Sequence, residues 1–220
     1  MPDWRELAER EESRYLDGEA RLPDSSDPDA RQRQLTRMGN AAGGAALALR
    51  MNGDRAGSAE WFIRASVCYR ESFEDAPPGS WGRPIGAIKS CILADDWVRA
   101  EDAANWALDV HAGDSDSPIG RYAACLACLV LGRWEDARVL ADDLRTHDGF
   151  PRDVGDALAF VAADDPIGYW QAVELVLDSF EQRDEYLEDV PVADTVLVLQ
   201  ALALRRGIEV ELESALLPSR

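Results

Sequence analysis

The sequence predicts an all-α protein, a stack of antiparallel helical hairpins with about nine or ten helices. The first observation is an internal repeat, because residues 85–97 align with residues 122–134 at an offset of 37. The second is that each copy ends on a tryptophan, Trp97 or Trp134, with alanines three and seven positions further on. A period of about 34–40 residues with this pattern is typical of helix-turn-helix repeats.

The paired alanines explain how such hairpins would pack. Ala100 corresponds to Ala137 and Ala104 to Ala141. Small side chains at these positions let two helices approach closely, while the preceding tryptophan packs on the partner helix. A looser copy covers residues 154–176, and a vestigial first copy covers residues 41–61.

The N-terminal part should hold two helices. We expect the first at residues 3–16 and a loop at residues 18–28, which contains Pro23, Ser25, Ser26 and Pro28. Asp27 and Pro28 are a typical helix start, so a second helix should run from there towards Met51. Gly39, Gly43 and Gly44 weaken it by about 1 kcal/mol each relative to alanine, and close packing against a neighbouring helix would explain them.

The third helix should span residues 55–74 and end before Pro77, Pro78 and Gly79. One side of it carries an apolar stripe at helical spacing, formed by Trp61, Ala65, Cys68 and Ser72.

The C-terminal quarter reads as a buried helix at residues 190–206, ended by Gly207. Residues 208–212 alternate apolar and acidic side chains, as in a short strand. We therefore predict a single domain over residues 1–220. It comprises an N-terminal helix and loop (1–28), helical hairpins (29–186), and a C-terminal capping helix and tail (187–220).

The charge of the chain is strongly acidic. It has 42 acidic and 23 basic residues, a formal net charge of −19, and Lys89 as its one lysine. This composition resembles that of proteins from salt-accumulating haloarchaea, in which hydrated carboxylates tolerate concentrated salt. A surface evolved to bind a basic partner is the competing interpretation. Nucleic-acid binding is not expected, since it needs a basic face.

No apolar run approaches the length of a membrane helix, and the charged N-terminus has no apolar core of a secretion signal. We therefore expect a cytoplasmic protein with no membrane association.

Metal and redox chemistry have one candidate, the Cys125-x2-Cys128 pair. A zinc site would need a second pair, and the flanking apolar residues favour core packing instead. His111 and His147 lie near predicted helix ends and have no partner for a catalytic triad. Three acidic pairs occur in the chain: Asp95-Asp96, Asp142-Asp143 and Asp164-Asp165. None of them is part of an Asp-Asp-x2-Asp magnesium-binding motif, so we interpret them as helix ends and acidic surface. We expect no cofactor and no metal.

Candidate binding residues come from the loop before residue 85 and from nearby cations. The stiff loop 77–84 displays Trp81 and Arg83, residue types that often anchor interfaces. Lys89 and Arg121, with Arg64 and Arg70, would add cations on one side of the hairpins. The alternatives are that Trp81 packs over the joint between repeats, and that the cations pair with neighbouring acids.

Residues 40–186, with the two tryptophan-alanine units, resemble the tetratricopeptide-repeat superfamily. The Gly-x2-Tyr and closing proline of that repeat are mostly missing here. The resemblance implies a right-handed superhelix of helical hairpins that binds protein partners.

Three C-terminal stretches, residues 169–170, 186–192 and 206–218, are similar to the ending of type-49 immunity proteins of polymorphic toxin systems. That resemblance implies a non-enzymatic protein that neutralises a toxin by direct binding. The alternative that the residues leave open is an all-α enzyme or a small-ligand-binding protein with a charged pocket. A homodimer also stays open.

Overall fold

The computed structural model describes residues 2–22 and 26–219, and within them it contains helices and no strand. The prediction of an all-α fold is confirmed. None of the described helices is both long enough and apolar enough to cross a membrane. The helices are α1 (Trp4–Ala20), α2 (Pro28–Met51), α3 (Arg55–Glu74), α4 (Gly82–Leu93), α5 (Trp97–Asp109), α6 (Pro118–Val130), α7 (Trp134–Leu144), α8 (Arg152–Ala163), α9 (Pro166–Glu181) and α10 (Asp194–Arg205), with 3-10 turns at Ala112–Asp114 and Leu187–Asp189.

Each helix from α1 to α9 packs against the next one in the chain. Trp97 and Trp134 are the first residues of α5 and α7, as the repeat predicts. The four alanines that follow them are fully buried at the helix contacts: Ala100, Ala104, Ala137 and Ala141.

The turns inside the hairpins share one feature, a residue with a left-handed backbone conformation. Gly53, Asp95, Gly132 and Asp164 all have positive φ, and each lies two residues before the next helix begins. A left-handed residue at this place reverses the chain, and glycine and aspartate tolerate it best. The shared turn places α2 and α3 in the same series as the later hairpins. It also accounts for two acidic pairs, since Asp96 and Asp165 are helix N-caps.

The starts of α2 and α3 agree with the sequence, whereas the end of α1 does not. Asp27 accepts a hydrogen bond from the backbone of Ala30 and caps α2, and α3 has the predicted bounds. Helix α1, however, continues four residues past the predicted end at residue 16. Gly18 lies inside it and is buried against Gln34 and Met38 of α2. The predicted loop is therefore shorter, and its residues 23–25 lie outside the described residues.

Two C-terminal predictions are wrong. The helix expected from residue 190 begins only at Asp194, since residues 190–193 are not helical and bury Val190, Val192 and Ala193. Residues 208–212 form no strand, since no extended neighbour pairs with them in the described chain. Ile208 is buried and Val210 accepts a weak hydrogen bond from Gln200 of α10, so this segment packs on a helix instead.

Helix α10 does not simply follow α9 at the end of the stack. It contacts α4 and α8 as well as α9, so it crosses the layer formed by the even-numbered helices. Helix α6 contacts α4, α5 and α7 and is buried from Tyr122 to Val130 on all sides, and Arg205 at the end of α10 donates to the Val130 carbonyl. At the end of α10, Arg205 stacks 4.4 Å from the Trp97 ring, and Arg206 stacks 4.3 Å from the Trp134 ring.

Candidate binding groove

Three of the four predicted binding residues come together in one cavity. Trp81, Arg83 and Lys89 line a half-open groove of about 410 Å³ between α2, α3 and α4, which we call the α2–α4 groove. Arg121 lies outside it, where its guanidinium pairs with Asp143 of α7 and donates to the Ser115 carbonyl. Arg70 pairs separately with Asp102, so the predicted gathering of cations on one side is limited to the groove.

Helix α2 supplies one wall of the groove. Its lining residues are spaced at three and four positions, so they share one side of the helix: Thr36, Asn40, Gly43 and Leu47. The eleven residue steps from Thr36 to Leu47 correspond to a length of about 16 Å. The groove is therefore elongated along α2, rather than a compact hole.

Tyr69 of α3 forms part of the lining and is held by two glycines. A Cβ at Gly39 of α2 would lie 3.0 Å from the Tyr69 ring, and one at Gly86 of α4 would lie 2.7 Å from it. The ring thus fills the slot between two helix backbones. Its hydroxyl donates to Asn40 Oδ1 at 2.9 Å, and burial raises the pKa of Tyr69, which keeps the phenol neutral.

Gly43 is different, because a Cβ at this position would meet no atom within 4 Å. Close packing explains Gly39, and it explains Gly44, whose Cβ would lie 3.1 Å from Glu11. It does not explain Gly43, so the expectation for all three glycines is wrong at this one. Gly43 instead leaves backbone exposed on the floor of an open cavity.

The Lys89 ammonium is paired inside the groove. It donates to Asp194, the first residue of α10, and to Thr195 Oγ1 at 3.3 Å. Both charged side chains are largely buried, so solvent screens this pair less than a surface pair. The contact ties α4 to α10 and nearly neutralises the charge of Lys89.

Arg83 has no such acidic partner. Its Nε donates to Ser72 Oγ at 3.0 Å and Thr36 Oγ1 at 3.3 Å, and its Nη2 donates to Gln32 Oε1. No carboxylate of the described residues lies within 4 Å of it. Burial lowers the pKa of Arg83, but an arginine stays charged at neutral pH. The groove therefore holds a guanidinium supported by neutral oxygens alone.

The opposite part of the groove is apolar. Leu47, Phe62 and Leu93 line it, and Arg50 stacks 5.7 Å from the Phe62 ring while donating to the Leu93 carbonyl. Trp81 is half-buried. It packs on an alanine cluster around Ala124, 6.1 Å from the Phe73 ring, so it both seals the joint between repeats and lines the groove.

The rim includes Leu187, which is 61% exposed although it lines the groove. The 187–189 turn that carries it has two consecutive residues with positive φ, Glu188 and Asp189. Helix α1 holds this turn, because Arg14 pairs with the Glu188 carboxylate and Arg10 donates to the Glu188 carbonyl.

The four cysteines lie in the core, away from the groove lining. Burial raises the pKa of the Cys68 thiol to about 11, and it raises the pKa of Cys125 and Cys128 as well. A raised pKa disfavours the thiolate that metal binding and nucleophilic attack require. Among the described residues, no group of three or more His, Cys, Asp or Glu side chains is arranged to hold a metal ion.

Sequence reasoning missed several residues of the groove. Tyr69, Asn40 and Asp194 come from distant helices, and no local pattern marks them. Gly43 was noticed but assigned to packing. A glycine in the middle of a helix was the available signal, because such a residue weakens a helix.

No known protein family model matches this chain, and no curated protein or solved structure is significantly similar to it.

Proposed function

We propose that this chain is a non-enzymatic protein-binding protein of the helical-repeat type, and that a protein partner binds at the α2–α4 groove. The observation that supports this most strongly is the combination of an open, elongated groove with Trp81 and Leu187 at its edge. Exposed apolar and aromatic side chains around a cavity are typical of places where a partner inserts its own side chains.

Helix α10 already covers part of the layer formed by the even-numbered helices. Helix α10 buries Val196, Leu199 and Leu202 against the even-numbered helices, so that face offers little free apolar surface. The groove lies beside the start of α10, at Asp194, where this cover stops. A partner would therefore extend the contact that the chain makes with itself.

Capture of a partner with and without a filled groove tests the proposal. Immobilised wild-type protein is incubated with a lysate of its source organism at molar salt, beside the Gly43→Leu and Gly43→Ala variants. A Cβ at residue 43 would meet no atom within 4 Å, so the leucine side chain extends into the groove, whereas the alanine adds a single methyl group. We expect a stoichiometric protein that the wild type and Gly43→Ala retain and that Gly43→Leu loses at least tenfold. A partner retained equally by all three would place binding elsewhere, and no partner would contradict the proposal.

The finer proposal is an immunity protein that neutralises a toxin in the cytoplasm. Residues 186–192, part of the similarity to type-49 immunity proteins, supply Leu187 at the groove rim. The four free thiols are consistent with a reducing compartment. Co-expression with a toxin encoded beside the gene should restore growth for the wild type and not for Gly43→Leu. Equal rescue by both, or no rescue, would contradict this assignment.

The second candidate, an all-α enzyme or a small-ligand-binding protein, rests on the volume and charges of the same cavity. A volume of about 410 Å³ lies in the range of small-molecule sites, and Lys89, Arg83 and Asp194 line it. The pairing of Lys89 with Asp194 disfavours a nucleophilic lysine, which needs a neutral amine. Competition by a small carboxylic acid for the groove would separate this candidate from the first.

A further inference from the structure

The charges that line the α2–α4 groove determine what it can hold. Arg83 and Lys89 are positive and Asp194 is negative, so the lining carries one net positive charge in a protein whose total is −19. Since Asp194 already balances Lys89, the excess positive charge is that of Arg83. One guanidinium surrounded by neutral oxygens matches a monoanion, and Asp194 would repel a polyanion.

A carboxylate is the monoanion that fits best. The planar guanidinium presents several N–H donors, and Ser72, Thr36 and Gln32 use only Nε and Nη2. The remaining Nη1 makes no hydrogen bond to the described residues and can donate to a carboxylate oxygen. Charged hydrogen bonds of this kind contribute more than neutral ones.

The length and floor of the groove favour a short peptide over a single small molecule. From Thr36 to Leu47 the wall is about 16 Å long, which corresponds to roughly four or five extended residues. Gly43, with empty space where its Cβ would be, leaves room for a partner side chain beside α2. Leu47, Phe62 and Leu93 line the cavity beyond it, with 8%, 2% and 4% of each residue exposed.

The segment just before Arg83 also belongs to the groove. Gly79, Ser80 and Trp81 of the loop and Gly82 at the start of α4 line the same cavity as Arg83. We take the carboxylate to be that of a chain end, and the arrays below distinguish it from an internal Glu.

We infer that the α2–α4 groove binds the C-terminal segment of a protein partner, with the terminal carboxylate at Arg83 and apolar side chains along Gly43, Leu47 and Phe62. This inference rests on the proposed function and specifies the chemistry of the partner.

Peptide arrays test it directly. Pentapeptides randomised over Ala, Val, Leu, Ile and Phe are fixed through their N-termini, once with a free C-terminal carboxylate and once with a C-terminal amide. A third array carries the amide and one internal Glu. Labelled wild-type protein should be retained at least tenfold more on the best free-carboxylate peptides than on their amides. Equal retention of acid and amide, preference for the internal Glu, or no retention at all would overturn the inference.

Variants connect the preference to Arg83. Arg83→Gln should reduce the preference for carboxylate over amide to less than twofold. Arg121→Gln is the matched control, because that arginine is also partly buried but lies outside the groove and pairs with Asp143. It should keep the wild-type preference. Circular dichroism and urea unfolding establish that each variant is folded. If Arg83→Gln is unstable, Arg83→Lys replaces it in the test. Because lysine retains the charge, this variant should show part of the wild-type preference for carboxylate. An unchanged preference in folded Arg83→Gln would overturn the inference.

A competition arm identifies the source of the carboxylate. If 3-phenylpropionate displaces the peptides at a concentration equal to the peptide Kd, the groove is a site for small acids and the inference fails. Two results together would separate this inference from the proposed function. If Gly43→Leu loses the partner in the lysate capture but the arrays show no preference for a free carboxylate, the protein-binding proposal stands and the carboxylate inference fails.

Discussion

Individual glycines in this protein have opposite physical roles although they look alike in the sequence. Gly39 and Gly86 let the Tyr69 ring lie against two helix backbones, and a Cβ at either position would lie closer to the ring than ordinary van der Waals distance. Gly43 lies four residues after Gly39 on the same helix, and a Cβ added there would meet no atom within 4 Å. Only the first kind stabilises the fold, since it permits packing that a methyl group would block.

We predict that Gly43→Ala stabilises the protein and that Gly86→Ala destabilises it. Alanine is favoured over glycine inside a helix by about 1 kcal/mol, and nothing opposes it at residue 43. At residue 86, a Cβ 2.7 Å from the Tyr69 ring forces that ring or a helix to move, at a cost of about 1–3 kcal/mol. Urea unfolding of both variants measures the two changes. A destabilised Gly43→Ala would show that its backbone position is constrained in a way that the groove does not explain.

Site prediction from sequence was strongest for side chains of unusual type. Trp81 and Arg83 stand out in a stiff loop, and Lys89 is the single lysine, and these three do line one cavity. Arg121 is also a cation, but it lies outside the groove and its guanidinium pairs with Asp143 of α7. A residue's type suggested binding ability, while its neighbours determined whether the side chain was free.

Helix α10 acts as a structural part of the stack rather than as a loosely attached tail. Leu199 and Leu202 are almost fully buried, and the two arginines at its end stack on the repeat tryptophans Trp97 and Trp134. Its first residue pairs with Lys89 of α4. One helix thus joins three hairpins that would otherwise contact only their neighbours.

We predict that α10 contributes as much stability as the repeats themselves. Leu199→Ala or Leu202→Ala should each cost about 2–5 kcal/mol in the free energy of unfolding, as expected for buried leucines. Leu126→Ala, in the centre of α6, is the comparison, because that leucine is buried to the same degree. Leu204→Ala is the matched control in α10, since Leu204 is 62% exposed, and its effect should stay within about 0.5 kcal/mol. A change below 1 kcal/mol for Leu199→Ala would mean that α10 is dispensable.

The boundaries of elements followed the sequence where local signals were strong. Asp27 with Pro28 marked the start of α2, and the repeat marked Trp97 and Trp134 as the first residues of α5 and α7, because capping residues and residue spacing are local signals. The end of α1 and the start of α10 depended on distant contacts, with Gly18 against α2 and Val190 and Val192 in the core. Alternation at residues 208–212 suggested a strand, but a strand requires a partner that the fold does not provide there.

At the scale of the whole molecule, the dominant force beyond the core is repulsion among 42 acidic side chains. Many arginines offset it locally, as in the Arg5 pair with Glu9 and the Arg33 pair with Asp29. Exposed pairs of this kind contribute about 0–1 kcal/mol each, so they do not cancel a net charge of −19.

We predict that the protein becomes more stable as KCl rises from 0.1 to 2 M. The Debye length falls from about 10 Å at 0.1 M to about 3 Å at 1 M, which screens long-range repulsion more than close or buried pairs. Urea unfolding at each salt concentration measures the slope. A variant combining Asp109→Asn, Asp184→Asn and Glu209→Gln removes three exposed charges, and it should show higher stability at 0.1 M and a smaller gain with salt. Stability that falls with salt would mean that ion pairs outweigh repulsion, and it would contradict a halophilic origin.

The sequence by itself determined the helical class, the hairpin repeat and most helix starts, because periodicity, capping residues and turn residues act over a few positions of the chain. Only the tertiary structure decided which cations are neutralised, which glycine faces empty space, and that α10 crosses the stack beside an open groove. Those properties arise from contacts between residues that are 40 to more than 100 positions apart, such as Lys89 with Asp194 and Arg83 with Gln32, and no local pattern encodes them.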